Sequence, residues 1–427
     1  MPISISALLL CNLLRLDCAV PELSPALDWP ALLSTARAHQ LSPYLYHRLK
    51  SAGLERQLPE PVLSGLQQDY RSALSLALRR SHALQELLLV FHRSGIPCIP
   101  LKGAYLAEVI YPNPALRTMS DLDLLVPKEQ LAQAAQFAQN LGYRPERRYL
   151  VEGVIELHSH LPVLAGKNLP FLEIHATFSR PIDPFPVVLE GVWQRARPLS
   201  FLEVPAFTLA PEDLLLSLSL HIAYQHCFNQ GLRSLLDLAL VVQRMQGEIS
   251  WELLLARAAD WSAGLPLYLS LALAHELLGA PLPTFVLTAL QPPDLDPALL
   301  PTTRHLALTD PRPEKELKPE MLELVQAETW PKKLHILLQR VFLPPRVLAV
   351  LYPARADSPW IYWYYPARLV TLLRQYGSTV WNEIWGGPSQ KRITAESRAR
   401  AEQQSLLLSQ MNESVRRNLS SIHSETH

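Results

Sequence analysis

The stretch Arg117-Thr118-Met119-Ser120-Asp121-Leu122-Asp123-Leu124-Leu125-Val126, preceded by Leu101-Lys102-Gly103, decides how the chain is read. Leucine alternates with aspartate in a run closed by Pro127, which is the period of a half-buried strand. Residues i and i+2 of a strand face the same side, so Asp121 and Asp123 share one face while Leu122 and Leu124 take the other. Two carboxylates this close need a cation. Hard oxygen ligands suit Mg²⁺, with Mn²⁺ as the alternative, completed by water and substrate phosphates. Two such ions can clamp the attacking and leaving oxygens of a phosphoryl transfer.

A third carboxylate is expected on a neighbouring strand, and Phe171-Leu172-Glu173-Ile174-His175 supplies it, with Glu173 and His175 on one face. Ile96 to Leu101 reads as a further strand. Gly103 to Ile110 reads as a short helix whose glycine lets backbone N–H groups approach a phosphate without a Cβ in the way. Lys102 adds a point charge and Arg117 a planar fork able to hold phosphate or orient an aspartate. The competing reading, that Asp121 and Asp123 only blunt an edge strand, explains neither Lys102-Gly103 nor Glu173.

These motifs together resemble the uncharacterised nucleotidyltransferases of the DNA polymerase β-like superfamily. The matching pieces are Leu101-Lys102-Gly103, Arg117 to Val126, a helix ending in Gly142-Tyr143, and the strand Glu173-Ile174-His175. The likeness is best over 85–180 and looser to about 245, through Leu220-His221, Arg233 and Leu236-Asp237-Leu238-Ala239. Residues 1–85 and 280–427 add little to it. The chain departs from the superfamily pattern in carrying Gly103-Ala104 after a lysine. The resemblance implies an α+β fold, with a small mixed-sheet, polymerase β-like core embedded between N-terminal and C-terminal helical regions. It implies Asp121, Asp123 and Glu173 as the catalytic, metal-holding acids. Lys102, Gly103, Arg117 and Ser120 would lie about the nucleotide, and His175 would orient Glu173 or contact substrate. The implied reaction moves a nucleoside monophosphate from a Mg²⁺-bound triphosphate, ATP among the options, to a small-molecule, protein or RNA acceptor, releasing pyrophosphate. The alternative is a catalytically degenerate binding or regulatory module, which loss of an acid would signal; all three acids are present.

The rest of the chain frames this core. Its 427 residues are 48% hydrophobic and 18% charged, far from the composition of disordered chains. Lys plus Arg and Asp plus Glu both number 39, so no global field draws it to a long nucleic acid. No G-x-G-x-x-G or G-x-x-x-x-G-K-[ST] occurs. Four cysteines without a C-x-x-C pair point to a reducing compartment, the cytoplasm by default. The start lacks a basic region before its apolar run, and Leu214 to Tyr224 is too short to span a bilayer, so no transmembrane segment is expected.

Periodicity and punctuation divide the chain into a helical region over 1–95, the nucleotidyltransferase core over 96–205, and a helical bundle over 206–280. A Pro-rich crossing with further helices follows over 281–386, then a polar tail over 387–427, mobile or partly helical. His158, His160 and His175 admit a zinc reading, but the alternation is also that of a half-exposed strand, the stronger reading. His221 and His226, five apart on a helix, are expected not to face each other. Asp237 and Arg233 read as an i, i+4 pair. The aromatic run Trp360 to Tyr365 reads as packing.

Overall fold

The alternation read over Asp121–Leu125 becomes the second strand of a five-stranded mixed sheet. The computed structural model describes residues 4–24, 27–145, 159–179, 183–311, 331, 338, 341–342, 358–370 and 388–425. The sheet strands are Ile99–Leu101 (β1), Asp121–Leu125 (β2), Arg144–Pro145 (β3), Leu164–Ala165 (β4) and Phe171–His175 (β5), in the order β1-β2-β5-β4-β3. β2 and β5 run parallel, with Asp123 opposite Glu173 and Leu125 opposite His175. The other neighbours are antiparallel, and β1 sets Leu101 opposite Asp123. Leu122, Leu124, Leu172 and Ile174 are all buried, so the alternate face is packed as the pattern requires. The fold is the expected α+β arrangement of a small mixed sheet among many helices.

Helices surround the sheet. Ile5–Leu14 (α1), Trp29–Ala38 (α2), Ser42–Ser51 (α3) and the 34-residue Glu60–Arg93 (α4) precede it. α4 stops where Gly95 takes a left-handed φ of 70° and the Ile96 N–H turns back to the Phe91 carbonyl, a glycine-terminated helix end. Lys102–Tyr105 (α5), Leu131–Asn140 (α6) and Leu189–Arg195 (α7) lie within the sheet region. Pro211–Leu220 (α8), Leu232–Arg244 (α9), Trp251–Asp260 (α10) and Gly264–Leu278 (α11) follow, and α9 and α11 are buried along most of their length. Thr284–Leu290 (α12) and Leu299–Leu308 (α13) are helices in the stretch expected to be a Pro-rich crossing.

A hairpin escapes the sequence reading. Arg197–Phe201 (β6) and Val204–Thr208 (β7) pair antiparallel across a two-residue turn in which Leu202 and Glu203 both have positive φ, 50° and 64°. That turn type normally announces itself with Asn-Gly or Asp-Gly, and here it does not. Phe207 N–H donates to the Cys98 carbonyl at 3.0 Å, so the hairpin is tied to the chain just before β1 and runs across residue 205, where the core was expected to end.

The chain divides into two compact units, one of residues Met1–Glu146, Ile155–Pro311 and Leu407–His427, the other of Arg147–Val154 and Arg312–Leu406. The polar stretch read as a tail forms the helix Pro388–Glu425 (α14). Leu407, Met411 and Val415, one turn apart, are buried in the core of the first unit. In the second unit the aromatic run exposes Trp360, Tyr362 and Trp363 and buries Ile361. Packing therefore does not account for its largest rings. Among the described residues no helix is long and apolar enough to cross a membrane.

Candidate active site

Strand register places the acids. Because β2 and β5 are parallel with Asp123 opposite Glu173, the same-face positions Asp121, Asp123, Glu173 and His175 meet on one side of the sheet. Because Leu101 is opposite Asp123 on β1, the next residue, Lys102, emerges beside the same carboxylate. Lys102 holds a left-handed φ of 45°, a conformation that non-glycine residues rarely adopt and that recurs at functional sites. Its Nζ donates to Asp123 Oδ1 at 3.0 Å. His175 Nε2 lies 2.7 Å from that same oxygen and 3.4 Å from Glu173 Oε2. His160, bridged to His175 across the edge of the sheet, has its Nε2 3.7 Å from Glu173 Oε2.

These groups line a cavity of about 350 Å³ that contains every residue assigned from sequence: Lys102, Gly103, Arg117, Ser120, Asp121, Asp123, Glu173 and His175. Ligand atoms of Asp123, Glu173 and His175 all fall within 4.8 Å of one another. Asp121 lies in the same cavity outside that tight group, hydrogen-bonded by the Ser120 hydroxyl at 3.2 Å. The donor set fits a divalent cation: the carboxylates of Asp123 and Glu173 and the imidazole of His175, whose Nδ1 is buried without a hydrogen-bond partner among the described residues. His158 lies outside the described residues, so the three-imidazole arrangement has no counterpart among them.

The electrostatics follow the geometry. Burial alone would raise the Asp123 carboxyl, 4% exposed, yet Lys102 and His175 outweigh it and hold the group well below the usual carboxylate range. Glu173 is likewise held down, the His175 hydrogen bond overcoming burial. Asp121 goes the other way, pushed up by burial and by the charges of Asp123 and Glu173. For His175 and Lys102 burial, which would lower both, is outweighed by the neighbouring carboxylates, so both are pushed up.

The Arg117 fork is directed at an aspartate outside the acidic strand. Its Nε and Nη2 donate to Asp237 Oδ1 and Oδ2 at 3.1 and 2.8 Å, and the Tyr111 hydroxyl donates to Asp237 at 2.8 Å, a network buried throughout. Asp237 is accordingly the partner of Arg117 and Tyr111, not of Arg233. Gly103 has a structural duty as well, since a Cβ there would sit 2.9 Å from Arg117 Nη1.

Sequence reasoning missed the wall formed by residues 221–233. His221, Gln225, His226, Gln230 and Arg233 all line the cavity. His221 and His226 face each other after all, rings edge to face with centroids 4.5 Å apart. The segment His221–Gln225 is a π-helical turn, closed by His226 N–H to the His221 carbonyl, and in a π turn residues five apart stack. No sequence signal marks that turn. Burial and the Lys102 charge push both imidazoles down, His226 to about 4, so both are neutral.

The family model described as "Uncharacterised nucleotidyltransferase" matches residues 25–279, more than half of the chain. The chain belongs to this nucleotidyltransferase family. No curated protein and no solved structure shows a significant match. The matched span runs from α2 through α11, so this nucleotidyltransferase includes helices that the motif comparison had left outside. One physical reason is visible. His39 and Gln40, at the turn between α2 and α3, reach the start of α9, where His39 Nδ1 accepts from Leu232 N–H at 3.2 Å and Gln40 Oε1 accepts from Arg233.

Proposed function

We propose that this nucleotidyltransferase moves a nucleoside monophosphate from a Mg²⁺- or Mn²⁺-bound triphosphate to an acceptor and releases pyrophosphate. The observation that carries the proposal is the convergence of Asp123, Glu173 and His175 beside Lys102 in a polar cavity, within a chain of nucleotidyltransferase family. In the overall reaction an acceptor oxygen or nitrogen bonds to the α-phosphorus, and the bond from that phosphorus to the β-bridging oxygen breaks. Pyrophosphate departs with the electron pair, and the acceptor loses a proton.

Asp123 and Glu173, joined by Asp121 and His175, would hold the cation, which supplies charge neutralisation at the phosphoryl oxygens. Lys102 keeps its proton and places a positive charge at the centre of the acid cluster. Ser120 and the Gly103 backbone line the space beside it and would contact phosphate, with the Arg117 charge lying over Gly103. Glu173, which is not bonded to Lys102, would accept the acceptor's proton. The half-buried His221, Gln225 and His226 line the same cavity and would offer uncharged hydrogen-bonding groups to substrate. Cytoplasmic location belongs to the same reading and rests on the reduced cysteines of the sequence.

The test is a screen of small-molecule, protein and RNA acceptors with triphosphates labelled at the α-phosphate, with and without Mg²⁺. Label should pass to an acceptor with equimolar pyrophosphate only when the metal is present. Label appearing on an acceptor without pyrophosphate, or equally in chelator, would refute the reaction as written.

A further inference from the structure

Among the described residues the lysine and arginine side chains that line the cavity are Lys102, Arg117 and Arg233, and the first two meet acids: Lys102 meets Asp123 and Arg117 meets Asp237. Arg233 does not. Its Nη1 donates to Gln40 Oε1 and to the Thr118 carbonyl at 2.8 Å, both neutral acceptors. Among the described residues its Nε is buried without a partner and its Nη2 makes no hydrogen bond. The Nε–Nη2 edge is the one that grips a carboxylate in Arg15–Asp17, Arg37–Asp69, Arg117–Asp237 and Arg195–Asp213. In Arg233 the neutral acceptors fix one side of the guanidinium and leave this edge without an anion.

An uncompensated guanidinium in a half-buried position is unfavourable, and burial together with the Arg117 charge pushes Arg233 down to about 10. The other groups of its wall do not supply the missing charge. His221 and His226 are neutral and Gln225 and Gln230 are amides, while of the acids whose charge acts on it, Asp237 is held by Arg117 and Asp121 accepts from the Ser120 hydroxyl. A planar fork with one free edge matches a phosphate oxyanion in two parallel hydrogen bonds.

We infer that Arg233 binds the phosphates that are not transferred, the β and γ groups of the nucleoside triphosphate, through the free edge of its guanidinium, and that Gln40 is the residue that positions it. This rests on the nucleotidyltransferase reading above and reassigns the phosphate fork from Arg117, whose edge Asp237 occupies, to Arg233. It also gives the N-terminal helices a part in the site. The same oxyanion chemistry could be presented by a phosphorylated acceptor, so the experiment separates the two sources.

Titration calorimetry on the full chain in Mg²⁺ would compare a non-hydrolysable triphosphate analogue, inorganic tripolyphosphate and the nucleoside monophosphate, for wild type, Arg233→Gln, Arg233→Lys, Gln40→Ala and the double variant, with thermal melts confirming folding. Arg233→Gln should weaken triphosphate and tripolyphosphate by roughly 10- to 100-fold, the value of a charged bidentate contact, and leave the monophosphate within about twofold. Arg233→Lys should recover only part, since an ammonium lacks the fork. Gln40→Ala should weaken triphosphate in the wild type and have little further effect once Arg233 is gone, a coupling that general destabilisation would not produce. Unchanged triphosphate affinity in a folded Arg233→Gln, or an equal loss for the monophosphate, would overturn the assignment; the second result would fit an acceptor phosphate instead. If wild type binds no triphosphate at all, the nucleotidyltransferase reading fails first and this inference falls with it.

Discussion

At Asp123 a single carboxylate answers to two cations, and the balance between them sets what a substitution does. Lys102 and His175 both contact Oδ1. The sequence alone suggests that removing one of two adjacent carboxylates relieves repulsion. The structure reverses this, because the charge removed is the one that Lys102 and His175 both contact. Asp123→Asn should therefore lower metal-free stability by roughly 1–3 kcal/mol and cut transfer by about 10³-fold or more, checked by melts in chelator and by label transfer. A second residue-scale expectation concerns acid. His226 titrates at about 4 in the fold against an ordinary 6.5, so between those values the unfolded chain binds more protons. Its contribution is intact above 6.5 and is lost as pH falls toward 4. Wild type should lose melting temperature across that window more steeply than His226→Gln, and parallel curves would contradict the burial of a neutral imidazole.

Elements were legible where local pattern and tertiary role agree. β2 and β5 announce themselves because their apolar alternates really are buried, and α4 because Gly95 ends it with the backbone geometry that favours glycine. What stayed hidden breaks a local rule. The π turn at 221–225 shifts the helical period by one residue, which is why two histidines judged apart are stacked. The β6–β7 hairpin turns through Leu202-Glu203, two residues that resist positive φ. Since Glu203 is exposed, Glu203→Gly should remove part of that strain and raise stability by about 1 kcal/mol, read from denaturant midpoints at constant m. A loss of stability would mean that the glutamate side chain contributes more than its backbone conformation costs.

Across the whole molecule, the site is assembled by contacts far apart in sequence, and these are what no local reading could supply. Asp121, Asp123 and Glu173 could be paired from strand periodicity, but the bonds from Arg117 to Asp237 and from Gln40 to Arg233 depend on how α2, α3 and α9 pack beside the sheet. Asp237 joins the segment before β2 to α9, so Asp237→Ala would leave the Arg117 charge buried and unpaired. It should cost about 3–5 kcal/mol, seen in unfolding midpoints, whereas a surface ion pair such as Arg197–Glu248 should cost under about 1 kcal/mol. In the proposed reaction the Asp123–Glu173–His175 cluster binds a catalytic divalent cation together with a triphosphate. Anomalous diffraction from crystals grown with Mn²⁺ and a non-hydrolysable triphosphate tests it most directly. A manganese peak is expected within about 2.0–2.3 Å of carboxylate oxygens of Asp123 and Glu173, with phosphate oxygens completing the shell, and no such peak in Asp123→Asn. Nucleotide bound with its manganese elsewhere in the chain, or a peak undiminished in the variant, would contradict it.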